Sequence, residues 1–422
     1  MDHDIIVIGA GAAGLIAAGR AAGEGASVLL VERNKQSGRK LLITGKGRCN
    51  ITNTAPRSEH FKNIFPNPRF LKHAYATFFT DDILALLNGE GVPTVIERGN
   101  RAFPESNQSE DVRNALQQWA QRQGVTFLFE TQVEKIITEE GQLTGLRVQE
   151  LHGTRTIRCR AAILCAGGRS YPATGSDGSG FRLAHDAGHS IIAVRPALVP
   201  LETEGTLAER LQGLSLKNAY AVLWVNGKKQ TEAFGELLFT HFGLSGPVIL
   251  TLSRSVVDAL AAGQKAEISI DLKPALEEPK LDQRLLRDLN ENGKKRLENV
   301  FRLWLPSKMI PLFLQELDID GNKPANQMGA VERRKTMLMM KNLRFTISGN
   351  RSFKEAVITA GGVSTGEIRS KTMESKLLKG LFFAGEVMDL DANTGGYNLQ
   401  IAWSTGWLAG LSAAESLRST SE

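Results

Sequence analysis

The stretch Asp4-Ile-Ile-Val-Ile-Gly9-Ala-Gly11-Ala-Ala-Gly14 sets three glycines at fixed spacing, directly after a short apolar run and directly before an alanine-rich one. The apolar run reads as a buried strand and the alanine-rich run as a helix. A second apolar run, Val28 to Val31, ends on Glu32. The chain therefore opens as strand, glycine turn, helix and strand. Gly9 permits the tight turn, Gly11 lets a pyrophosphate approach the backbone, and Gly14 lets helix meet sheet. The helix N-terminus then faces the anion. Glu32 sits at roughly the 20-residue offset of an acid that accepts hydrogen bonds from ribose hydroxyls. Such a turn serves FAD and NAD alike.

At 422 residues and 42% hydrophobic, the chain can bury the cores of two or three structural units. Its first apolar run is too short and too glycine-rich to span a bilayer, and no basic leader with a cleavage site precedes it. We expect a cytoplasmic protein with no membrane contact. Three scattered cysteines, Cys49, Cys159 and Cys165, have neither a disulfide framework's number nor a zinc site's spacing, so no metal is expected. A net charge of +6 is compatible with an anionic partner such as RNA without requiring one.

Further along, Leu71 to Asn88 and Asp111 to Gln123 have helical apolar spacing, and Arg160-Ala-Ala-Ile-Leu-Cys165 ends a buried strand on Ala166-Gly167-Gly168. From residue 191 to 273 extended segments dominate, with one helix opened by Pro247. Residues 274–342 are polar and helical, and carry the basic runs Lys294-Lys295-Arg296 and Arg333-Arg334-Lys335. We expect an α/β protein with a discontinuous nucleotide-binding domain (1–190 and 343–422), an inserted β-rich domain (191–273) and a helical insert (274–342).

Three blocks separated by hundreds of residues go beyond the glycine fingerprint: Gly45-Lys-Gly-Arg-Cys-Asn-Ile-Thr-Asn53, Cys165-Ala-Gly-Gly-Arg-Ser-Tyr-Pro-Ala-Thr174, and Ala384-Gly-Glu386 running on to Thr394-Gly-Gly-Tyr-Asn-Leu-Gln400. In this order the chain resembles the BaiN and RdsA-like family of NAD(P)/FAD-dependent oxidoreductases, which includes aminoacetone-oxidase-like flavoproteins. The resemblance spans nearly the whole chain. It implies a Rossmann-type, glutathione-reductase-like FAD-binding domain, and FAD as the cofactor.

By position, the resemblance implies cofactor contacts from Gly9, Ala10, Gly11, Ala12, Ala13 and Gly14, and from Glu32 and Arg33. It implies others from Arg39, Lys40, Leu41, Thr44, Gly45, Gly47, Arg48, Cys49 and Asn50 in the second glycine loop, and from Val133, Ala166, Gly167 and Gly168. Gly385, Glu386, Gly395, Gly396, Tyr397, Asn398, Leu399 and Gln400 complete the set. Successive N–H groups at the glycine-rich start of the last helix suit the negative charge of a reduced flavin. The chain departs from the family at Lys46, where the pattern has glycine. That puts in doubt any backbone contact there that needs a positive φ.

No second strand-bound GxGxxG occurs, and Gly175-Ser-Asp-Gly-Ser-Gly180 follows a proline turn, so NAD(P)H is expected as a transient reductant without its own nucleotide fold. Cys49 is either a proton donor or a small residue packed against the flavin. His185, His189 and His241 are each open to acid–base work, although a satisfied structural histidine is the commoner role for such a residue, and His241, inside Thr240-His-Phe-Gly-Leu-Ser-Gly246, is the one to test.

Three functions fit. The first is a reductase that passes hydride from NAD(P)H through flavin to an electron-poor C=C bond, in a small molecule or in uridine of ribosomal RNA. The basic helical insert would then grip phosphates, with Phe301, Trp304 and Phe345 available to stack a base. The second is an amine oxidase that releases hydrogen peroxide. The third is a flavin-holding RNA-binding protein without turnover.

Overall fold

A computed structural model describes residues 2–418. They form two compact units, residues 2–196 with 353–418, and residues 197–352.

The first unit is built on a five-stranded parallel sheet in the order Leu381–Phe383, Ala161–Leu164, Ile5–Ile8, Val28–Val31, Thr126–Leu128. Ile5 to Ile8 pair in register with Val28 to Val31 on one side and with Ala161 to Leu164 on the other. All three of these strands are buried along their length, which is why they read as continuous apolar runs rather than alternating ones. Strand order reverses at Ile5–Ile8, so the crevice beyond its carboxyl end is where a ligand of such a sheet sits.

Two helices cross close together beside this sheet. A Cβ on Gly406 would lie 2.5 Å from the Ala13 carbonyl oxygen and one on Gly410 2.3 Å from that of Ala17. Glycine on the closing helix Tyr397–Arg418 thus lets it lie directly on the backbone of the first helix, Ala12–Gly23. A short antiparallel sheet orders Thr52–Asn53, Arg101–Pro104 and Thr94–Glu97, the last two strands forming a hairpin.

The second unit is a closed barrel of Leu201–Thr203, Gly243–Ser245, Lys228–Phe239, Ser215–Val225, Ala266–Asp271 and Leu343–Asn350. Leu343–Asn350, assigned from sequence to the nucleotide-binding part, is the strand that closes it, with Leu343, Phe345 and Ile347 buried in alternation. Without it two strand edges would stay unpaired. The helix opened by Pro247 runs Pro247–Ala261 as the sequence predicts.

Residues 274–342 share one hydrophobic core with the barrel, in which Leu285, Phe301, Trp304 and Met337 join Phe239 and Ile268. Phe301, Trp304 and Phe345 are at most 3% exposed, so none of them is a surface platform for a base. The indole N–H of Trp304 donates to buried Asp288 at 3.0 Å, which fixes it inside. Many of the helical charges are also paired: Arg333 donates to both oxygens of Asp282, and Lys323 bonds Glu332 at 2.6 Å.

Among the described residues, no helix is long and apolar enough to cross a membrane.

Candidate cofactor site

The opening fingerprint forms a tight strand–turn–helix. Gly9 takes φ +100°, and a Cβ on Gly14 would lie 1.8 Å from the Gly9 carbonyl oxygen. The third glycine therefore seats the helix on the turn itself. Gly11 is different: its φ is ordinary, and a Cβ there would meet nothing within 4 Å. The helix Ala12–Gly23 starts at Gly11 with no side-chain cap and no acidic residue in its first turn. The positive end of the helix dipole therefore carries no side-chain cap at this turn.

Glu32 is buried and braces this turn. One oxygen accepts from the Ala10 N–H at 2.8 Å, and the other accepts from the Asn34 backbone and side chain at 2.9 and 2.6 Å. Asn34 also accepts from Arg39 at 2.7 Å and donates to the Thr174 carbonyl at 3.1 Å. A cleft of ≈ 810 Å³ opens here, lined by Arg33, Asn34, Lys35, Gln36, Arg39, Glu130 and Leu151. Arg33 pairs with Asp177 of the Gly175–Gly180 loop, so that glycine stretch folds back onto the residues after Glu32.

A second cluster joins four distant segments. Lys40 Nζ donates to Ser170 Oγ at 2.6 Å and to Glu386 Oε2 at 2.7 Å. Glu386 Oε1 accepts from Ser170 Oγ and from the Thr359 N–H, both at 2.8 Å. Thr359 Oγ1 in turn accepts from the N–H groups of Arg169 and Ser170 at 2.7 and 3.0 Å. Gly168 lies under this cluster, where a Cβ would sit 2.4 Å from Thr359 Oγ1. Gly167 has φ +72°, and Ala166 beside it is partly buried. Val133 is buried in the core of the same unit.

In the second glycine loop, Gly45, Lys46, Gly47 and Cys49 all have positive φ. Lys46 holds φ +59° where the family pattern has glycine, so the chain keeps the left-handed backbone without the residue that favours it. Thr44 Oγ1 donates to the Leu41 carbonyl at 2.6 Å. Arg48 turns outward: it bonds Glu97 at 2.5 Å and Asn107 at 2.6 Å and lies over the Phe103 ring at 4.1 Å. Cys49 is fully buried in an apolar cluster with Leu15, Ile16 and Trp403, and burial pushes its thiol up to about 12, against a bond from Thr44.

The third block is tied to this loop. The Asn50 amide donates to the Thr52 carbonyl and accepts from the Gly396 N–H, each at 3.1 Å. Thr52 Oγ1 donates to Gln400 at 2.5 Å, and Gln400 is itself fully buried. A Cβ on Gly396, where φ is +102°, would lie 2.4 Å from the Thr52 carbonyl carbon. Asn398 holds Ala392 by two bonds, at 2.9 and 2.7 Å. Tyr397 stands edge-on to His60 at 4.8 Å, Leu399 packs against the Cys49 cluster, and a Cβ on Gly385 would lie 2.9 Å from Ala13 Cβ.

These residues fit a flavin dinucleotide. An open, uncapped helix start at Gly11 and a cleft near Glu32 suit its diphosphate and adenosine ends, and the glycine pair before the closing helix suits its ring. Over residues 3–412 the chain matches the family of the HI0933-like protein Rossmann domain. The chain belongs to this HI0933-like family. Family membership makes it an FAD-dependent oxidoreductase.

Within reach of the HI0933-like group are relatives of full length. The chain is 31% identical over 413 residues to the 3-dehydro-bile acid delta(4,6)-reductase of Clostridium scindens, covering 97% of this chain and 98% of that one. It is 32% identical over 406 residues to the ribosomal RNA dihydrouridine synthase of Escherichia coli, covering 96% of each. In fold it is similar to quinol-fumarate reductase, with a TM-score of 0.53 at 17% identity over 98% of this chain and 71% of the other. It is similar also to Mycobacterium smegmatis Sdh1, with a TM-score of 0.53 at 16% identity over 99% of this chain and 69% of that one.

His241 lies on the second unit, in an exposed turn beside Phe242. His185 is exposed, and His189 is buried between Ser375 at 2.8 Å and Glu367 at 3.2 Å, a structural post. Sequence reasoning passed over Asn34, Ser170 and Thr359 as site residues. Ser170 was within reach because it stands inside the Cys165–Thr174 block, but Thr359 lies in an ordinary apolar run.

Proposed function

We propose that this protein reduces an electron-poor C=C bond, taking hydride from NAD(P)H, and that uridine in ribosomal RNA is its first-choice substrate. The net change adds a hydride and a proton across the double bond, while NAD(P)H leaves as NAD(P)⁺. FAD, when bound, supplies the hydride-accepting and hydride-donating centre. The reading is carried by two full-length relatives whose names describe the same chemistry on different rings, a delta(4,6)-reductase and a dihydrouridine synthase. The net charge of +6 favours the polyanionic substrate. Three free cysteines are consistent with a cytoplasmic setting.

The chain's own residues have separate tasks in this reading. The Gly11 helix start and Glu32 hold the dinucleotide, and Lys40, Ser170 and Thr359 keep the Glu386 carboxylate in one orientation. We assign Cys49 to packing, because a thiol held near 12 inside an apolar cluster is a poor proton donor at neutral pH.

The test is anaerobic. Purified protein is mixed with NADH or NADPH, its flavin absorbance is followed, and unmodified ribosomal RNA is then supplied and analysed for dihydrouridine. Flavin bleaching followed by dihydrouridine is the expected result. Bleaching without RNA product removes the RNA substrate and leaves a small-molecule reductase. Peroxide formed from an amine without nicotinamide supports the oxidase instead. Cys49→Ser should retain turnover.

A further inference from the structure

The hairpin formed by Thr94–Glu97 and Arg101–Pro104 is tied directly to the third cofactor block. Asn53 Nδ2 donates both to the Gly99 carbonyl at the hairpin tip and to the Gly395 carbonyl before the closing helix, each at 3.0 Å. The Thr54 N–H adds a bond to the Asn100 carbonyl at 2.7 Å. The tip is therefore fixed within one side chain of the glycine pair assigned to the flavin ring.

Two cations, Arg48 and Arg101, lie over Phe103 on this hairpin, and the backbones of Lys46 and Arg98 run beside it. Arg48 and Arg101 lie over its ring at 4.1 and 5.7 Å, and a Cβ on Gly45, next to Lys46, would lie 3.4 Å from its edge. Arg101 Nε donates to the Arg98 carbonyl at 3.1 Å, which brings Arg98 to the same end. Glu97 pairs with Arg48. Lys46, Arg98 and Arg101 are exposed, and among the described residues none of them makes a direct ion pair, although Arg101 joins Arg48 in holding the Glu97 carboxyl below its ordinary value. Three exposed charges of one sign outside any direct ion pair make a surface suited to an anion.

We propose that Lys46, Arg98 and Arg101 form a phosphodiester-binding rim that holds single-stranded RNA beside the flavin ring. The inference rests on the RNA reading above and moves the RNA contact from the helical stretch 274–342 to the cofactor-binding unit. Single-stranded RNA presents its bases splayed from a charged backbone, so cations at the edge of the ring site hold the backbone while one base turns inward. Lys46 gains a purpose here: the residue that departs from the family glycine is the one that adds a charge to this rim.

The test uses the full FAD-loaded protein and a fluorescent uridine-rich RNA 20-mer, with affinity measured by anisotropy across a KCl series. A Lys46→Gly, Arg98→Gln, Arg101→Gln variant should lower the slope of log affinity against log salt by about 2, at roughly 0.7 per lost phosphate contact. Arg334→Gln with Lys335→Gln, on the helical stretch, should leave the slope unchanged. Flavin absorbance and melting temperature report whether the triple variant is folded, and Lys46→Gly alone, which relieves a left-handed lysine, should still lower the slope by about 0.7. An unchanged slope in the rim variants overturns the rim while the RNA reading stands. A wild-type protein with no salt-dependent binding overturns both.

Discussion

Lys40 Nζ and Glu386 Oε2 meet at 2.7 Å across 346 positions of sequence, and both side chains are largely shielded from water. The pair joins the segment after the first βαβ unit to the one that leads into the closing helix. Replacing Lys40 with Met removes the ion pair to the Glu386 carboxylate. We expect a loss of about 1–3 kcal/mol in the stability of the FAD-free protein and a weaker hold on FAD. Urea unfolding of the apoprotein and flavin titration measure the two separately, and Lys40→Arg should recover part of each.

Gly11 and Gly396 should respond oppositely to alanine. At Gly11 a Cβ meets no protein atom and φ is ordinary, so Gly11→Ala should change stability by less than about 1 kcal/mol. It should nevertheless release FAD, because the methyl group occupies the cradle. At Gly396 the Cβ would collide with Thr52 backbone at positive φ, so Gly396→Ala should cost about 2 kcal/mol or more. Melting temperature and bound-flavin content distinguish the two. A Gly11→Ala protein that keeps full FAD affinity would remove the pyrophosphate assignment.

Lys46→Gly should raise stability by about 1 kcal/mol, since a non-glycine residue in the left-handed region carries a cost of that order. The shift is read as an increase in melting temperature of the FAD-loaded protein.

Acid should destabilise the fold through two buried imidazoles. Burial holds both His60 and His189 below their ordinary value of 6.5, although Asn53 opposes it at His60 and Glu367 at His189. The unfolded chain therefore takes up these protons first. Stability should be full above about pH 6.5 and fall below it, by up to ~1.4 kcal/mol per pH unit for each ring. Urea midpoints between pH 7.5 and 5 measure the effect, and His189→Gln should flatten the profile while lowering stability throughout.

The opening βαβ unit was legible because its chemistry is local: glycine at fixed spacing, an apolar run on each side and an acid at the right offset. The same holds for the helix begun by Pro247. What escaped were relationships between residues far apart in sequence. Arg333 reads as part of a basic run, but its partner Asp282 lies 51 residues away. Phe301 and Trp304 read as aromatics among cations, yet their helical spacing puts them in the core the barrel shares. Leu343–Asn350 has the alternation of a half-buried strand, and nothing local says which sheet it closes.

Gly406 and Gly410 lie against the backbone of Ala13 and Ala17, so the floor of the nucleotide cradle is supplied by residues almost 400 positions downstream of the turn it supports. During synthesis the fingerprint leaves the ribosome long before that floor exists. Throughout that interval the first helix lacks the surface it packs against in the finished fold.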